Sequence, residues 1–182
     1  MAYENKSCGS VTLASIDGRC DTSMGGIKAI MIANRDDVTA TVSGTDEKVD
    51  SITLATGAKF EKWQFRKNTG NYSSSYATDP AIGNTTVTTT VSLQFSGAEA
   101  TKRVAIQSAL NANAVVLVQD MYDEWIYLGL ENEVTITECT MQSGTATGDL
   151  SGFNLTFTDI ASELPHFIDE AVDVNGLLVA AV

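Results

Sequence analysis

The chain carries one histidine, His166, beside Pro165, and three cysteines, Cys8, Cys20 and Cys139. A hydrolytic triad needs a positioned base and a third group to orient it, and a histidine metal centre needs several imidazoles. A single histidine cannot build the second and is poorly placed for the first. The cysteines are odd in number and show no C-x-x-C spacing; a Cys8–Cys20 bridge is conceivable, but a chain expected in reducing cytoplasm is expected to keep free thiols. Asp36-Asp37, Asp46-Glu47 and the pair Asp120 and Asp123 fall in expected turns. Paired carboxylates cleave a glycoside only where they converge across a cleft, so these read as solvated turn acids. Gly25-Gly26 lacks the flanking pattern of a phosphate loop. Asp173-Val174-Asn175-Gly176 has the outline of a calcium loop, but Ala171 occupies the first ligand position. These residues predict a protein that is not an enzyme, with no cofactor and no metal site.

The elements that would position any site come next. The 182 residues are 43% hydrophobic and 19% charged, with a net charge of −12 and a mean hydropathy of +0.01. This is globular composition at single-domain length. The acidity argues against attraction to nucleic-acid phosphates. Apolar runs such as residues 114–118 and 177–182 are far shorter than a membrane-spanning helix needs. Without a basic and apolar leader at residues 1–6, the expected compartment is the reducing cytoplasm. The Asn-x-Ser/Thr triplets at Asn5, Asn71, Asn84 and Asn154 then read as accidents of a Thr- and Ser-rich chain.

Threonine numbers 22 against two prolines, and this β-branched excess predicts a mainly β protein. Val38–Val42, residues 134–137 and residues 153–158 alternate apolar and polar with a period of two. Residues 27–33 and 114–118 are denser apolar runs, expected as strands covered on both faces. A turn at residues 120–123 makes residues 114–119 and 125–130 a hairpin. One helix is expected over residues 98–110, opened by a capping box from Ser96 to Glu99 and carrying a stripe of Val104, Ile106, Ala109 and Leu110.

Residues 59–95 predict a long hairpin. Trp63, Phe65 and Tyr72 lie on a first arm running to about Tyr76, and residues 77–84 form the loop. The second arm places Val87, Val91, Leu93 and Phe95 on one face, interrupted by Thr89, with Thr86, Thr88, Thr90, Ser92 and Gln94 on the other. An arm of ~11 residues at ~3.3 Å per residue reaches roughly 36 Å, long for a small domain. Such a ribbon needs either its own core or a neighbouring copy to cover its apolar face and edges. The flanks point the same way. Residues 1–25 are rich in glycine, and residues 165–182 end in an apolar run with Leu177, Leu178, Val179 and Val182, which is expected to dock in this chain's core or on another subunit.

The ordered set of Trp63-Gln64-Phe65-Arg66, the hydroxyl-rich strand to Phe95, the helix, the 115–129 hairpin, the Gly144-Thr145-Ala146-Thr147-Gly148-Asp149 turn and Gly152-Phe153-Asn154-Leu155-Thr156-Phe157 resembles the tail tube (major tail) proteins of tailed bacteriophages, especially those of gut Bacteroides-like hosts. The resemblance spans about residues 26–168. It implies a β-sandwich or barrel with one flanking helix and a long projecting hairpin, as a single domain over residues 1–182. It also implies hexameric rings stacked into a hollow virion tail, assembled in the bacterial cytoplasm, whose partners are further copies, other tail proteins and DNA sliding through the lumen without sequence-specific contact. Trp63, Phe65, Tyr72, Thr86, Val87, Thr88, Thr90, Val91 and Leu93 would form the inter-subunit hairpin, with the hydroxyls facing the lumen. Lumens of this family are commonly acidic, whereas residues 59–95 carry four basic groups (Lys59, Lys62, Arg66 and Lys67) against Glu61 and Asp79. Two other readings stay open at this point: a capsid decoration or tail-completion subunit, and a small β-sandwich module that binds carbohydrate or protein.

Overall fold

A computed structural model describes residues 15–16, 24–44, 46–79, 83–146 and 149–179. In chain order its elements are β1 (Ile27–Asn34), β2 (Val38–Val42), β3 (Val49–Leu54), β4 (Glu61–Trp63), β5 (Gly70–Asp79), β6 (Asn84–Ser96), α1 (Ala100–Leu110), β7 (Ala114–Asp120), β8 (Trp125–Leu128), β9 (Thr135–Gln142), β10 (Gly152–Ala161) and β11 (His166–Phe167). They form a mainly β sandwich with one helix. One sheet has the order β11-β8-β7-β1-β4, a second has β5-β6-β10-β9, and β2 pairs with β3 in a separate hairpin.

The dense apolar runs become the middle of the first sheet, where Ile30 pairs with Val118 and Ile32 with Val116. Both of its faces are covered. On one, Ile30, Ile32, Val116 and Val118 meet Val91, Leu93, Leu155 and Phe157 of the second sheet. On the other, Met31, Val115 and Leu117 lie under the β2–β3 hairpin and the C-terminal segment, with Val38, Ala40, Ile52, Val174, Leu177 and Leu178 packed around them. Trp63 reaches across the first interface, its ring edge-on to Phe95 at 5.7 Å and Phe157 at 6.2 Å between centroids.

Two expectations are corrected, and one that was left open is answered. Trp63 and Phe65 are not on the long hairpin: Trp63 ends β4, which pairs with β1, and Phe65 lies in the segment crossing between sheets. A turn separates them from β5, with Thr69 Oγ1 donating to Arg66 O at 2.6 Å and Asn68 at φ 64°. The helix begins at Ala100, and its cap residue, Glu99, makes no side-chain cap bond. The Gly97 amide donates to Ser151 O at 2.7 Å, which holds residues 96–97 to the start of β10 and delays the helix start, while Lys102 Nζ bonds Ser96 O and Glu99 Oε1. Of the expected stripe only Ile106 is buried; Val104 and Leu110 are exposed. The C-terminal segment docks on its own subunit: Leu177 and Leu178 join the core and Leu177 O accepts the Phe60 amide, whereas Val179 is exposed. Cys8, Cys20, Val182 and most of the 1–25 arm lie outside the described residues.

Candidate assembly surface

The long hairpin is β5 and β6, of 10 and 13 residues, paired from Gly70↔Leu93 to Asp79↔Asn84. Alternation sorts its side chains as the pleat requires. Val87, Val91 and Leu93 are buried against the first sheet, and Thr86, Thr88 and Thr90 line the opposite face, half-buried. On its other side β6 pairs with β10 from Val87↔Ala161 to Ser96↔Gly152, so only the tip, with pairs 77↔86, 78↔85 and 79↔84, runs beyond that partner.

The outward face of the second sheet continues the hydroxyl pattern over all four strands. Asn71, Ser73 and Ser75 on β5 adjoin Thr86, Thr88, Thr90 and Ser92, then Asn154, Thr156 and Thr158 on β10, where the exposed Ile160 breaks the pattern, then Thr135 and Thr140 on β9. Neighbouring hydroxyls meet: Thr137 and Thr158 oxygens are 2.9 Å apart. Only Asp79 at the hairpin tip and Glu138 bring charge to outward positions of these strands. The basic Lys59, Lys62, Arg66 and Lys67 sit elsewhere, on and beside β4, where Lys59 pairs with Glu61 at 2.8 Å.

Both borders of this sheet are long and open. Every β5 residue from Asn71 to Asp79 is exposed, and so is β9 apart from half-buried Ile136. Even the inward-facing side chains of these outer strands are left open: Tyr72 is 37% exposed, Tyr76 63% and Met141 62%, with Cys139 an exposed free thiol. The Tyr72 hydroxyl is pushed up in pKa by partial burial and by the Asp120 and Glu124 carboxylates. Sequence reasoning found the β5–β6 side of this surface and missed β9. Its hydroxyl period was the available signal, but a register shift at Thr156/Phe157 breaks it, and strand order is a tertiary fact.

Of the residues weighed for chemistry, Asp46, Glu47 and His166 share one open cleft with Glu163, and Asp123 and Asp173 line another. His166 Nδ1 is 2.6 Å from Glu47 O, and its Nε2 is 3.9 Å from Glu163. The turn acids serve backbone and neighbouring charges: Asp120 Oδ1 accepts the Tyr122 and Glu124 amides, and Asp123 binds Lys28 at 2.6 Å. A cleft of about 840 Å³ beside the C-terminal segment includes Glu124, Asp169 and Asp173, of which Asp169 caps the Ala171 amide and Asp173 the Gly176 amide. Among the described residues no three His, Cys, Asp or Glu side chains are grouped to hold a metal. Compared with known proteins, the chain matches no family model, no curated protein and no solved structure.

Proposed function

We propose that this protein is a virion structural subunit that assembles head to tail into rings, stacked as the hollow tail tube through which phage DNA passes. The observation that carries the reading is the second sheet, a four-stranded surface with two long open borders and a nearly neutral hydroxyl face. An even number of antiparallel strands makes β5 and β9 run in opposite directions. Placing β5 of one copy beside β9 of the next therefore continues the antiparallel ladder. Repetition around a closed ring removes every free edge. With six copies the wall has about 24 strands; at ~4.8 Å each it is roughly 115 Å around and ~37 Å across, room for a duplex and its water. Short hydroxyls dominate that wall and do not grip phosphates, and Ile160, exposed beside Thr88, is the large apolar side chain among them.

A carbohydrate- or protein-binding module remains the alternative. It predicts a stable monomer, and the outward face carries no aromatic residue on which a sugar would stack. Electron microscopy and sedimentation of the concentrated protein separate the two: rings or hollow rods are expected, and a monomer at every concentration rejects the tube. Tyr76→Lys on β5 and Met141→Lys on β9 should each abolish assembly. Mixed together, they should form a dimer through the one intact β5–β9 pair.

A further inference from the structure

The apolar inner face of the second sheet is interrupted by a single polar row. Ser74, Thr89 and Asp159 are direct cross-strand partners on β5, β6 and β10. Ser74 and Thr89 share a hydroxyl hydrogen bond of 2.8 Å, and Thr89 is 2% exposed. Asp159, 5% exposed, follows Phe153, Leu155 and Phe157 at the inward positions of β10. Its Oδ2 accepts the Gly129 amide at 3.2 Å, and its Oδ1 is buried with no hydrogen-bond partner. A carboxylate so placed lacks what a buried charge requires, whereas a neutral carboxyl costs far less to bury.

We propose that Asp159 is a proton-operated latch: held neutral, it closes the end of the sandwich where β10 meets the β8–β9 loop, and its ionisation loosens that end. The charged groups facing it are Arg35, from the turn after β1, and Glu131, in the loop; its partners on β5 and β6 are neutral hydroxyls. Arg35 is already engaged, its Nη2 donating to Leu130 O at 3.1 Å and Glu131 O at 2.7 Å. The loop it grips is the one whose Gly129 amide caps Asp159, so the acid and the guanidinium hold adjacent residues of one connection. Burial pushes the carboxyl up and Glu131 adds to the rise, while the Gly129 amide, Arg35 and the Ile160 amide oppose it. A carboxyl whose folded-state pKa is raised stabilises the fold fully below its unfolded value, around 4, and loses that contribution as pH climbs through the folded value.

The test compares the thermal midpoint of the full chain and of Asp159→Asn from pH 4 to pH 8, alongside carboxyl ¹³C titration of the unsubstituted protein. The variant should gain on the parent by about 3–5 °C for each pH unit between the two pKa values, then hold that lead. The Asp159 carboxyl should titrate above the ordinary aspartate range. A difference in midpoint that does not change with pH overturns the latch, as does a carboxyl titrating at or below that range. If Asp159→Asn does not fold, the carboxyl titration alone decides.

Discussion

The two sheets of this molecule meet the same problem with opposite solutions. The first is covered on both faces and closes its borders with very short strands, three residues in β4 and two in β11. The second buries one face, wets the other, and ends in strands of 10 and 8 residues whose side chains are almost all exposed. A short edge strand blunts unwanted pairing, and a long open one invites it. The contrast teaches that the first sheet blunts its borders within one chain, while the second leaves long exposed ones, which is what supports the assembly proposed above.

Substitutions can sharpen or break that contrast. The largest effect on stability is expected at the shared core: Phe157→Ala, at a fully buried side chain, should cost about 3–5 kcal/mol by chemical denaturation, and Leu117→Ala in the first sheet about 2–5 kcal/mol. A smaller loss is expected from Gly152→Ala. Its Cβ would collide with the Phe95 carbonyl at the last β6–β10 pair, and overpacking of this kind costs roughly 1–3 kcal/mol. Thr88→Ala on the hydroxyl face and Tyr76→Lys on the edge should change folding by no more than about 0.5 kcal/mol. If Thr88→Ala costs as much as Leu117→Ala, the face is not the wetted surface described. The smallest effect belongs to Asp149, a fully exposed acid whose Oδ2 accepts the Thr145 and Ala146 amides. Those bonds hold its carboxyl below the usual range. Its contribution is therefore present above the unfolded pKa and lost as pH falls through the lowered one. Asp149→Asn should remove only that acid-side component from the pH profile of stability, opposite in sign to the component assigned to Asp159.

Much of this fold was legible because side-chain period reports burial directly. The uninterrupted apolar runs at β1 and β7 announced strands covered twice, and the alternation of β6 announced one wet face. Even Thr89, an irregularity in that alternation, marked the polar row. What stayed hidden depends on partners far along the chain. An extended aromatic such as Trp63 looks the same whether it continues a hairpin or ends an edge strand of the opposite sheet. The helix start depends on Ser151, and the assignment of Asp159 to the row depends on which residue of β6 it faces. The surface proposed for assembly was half visible for the same reason: β5 and β6 are neighbours in sequence, while β9 reaches that sheet only through β10.

The position of β1 has a consequence for synthesis. Its partner Val118 lies far downstream of Ile30, and the Arg35 grip on the β8–β9 loop spans 95 residues. At about 5–20 residues per second, β1 leaves the ribosome some 4–18 seconds before β7. A ribbon such as β5–β6 closes within about 1–10 μs once both arms exist. For several seconds the nascent chain therefore presents a ready hairpin and an intensely apolar first strand that has only the three-residue β4 to pair with. That interval is when a holdase chaperone has most to shield, and slowing translation between residues 35 and 114 should raise the aggregated fraction before any assembly begins.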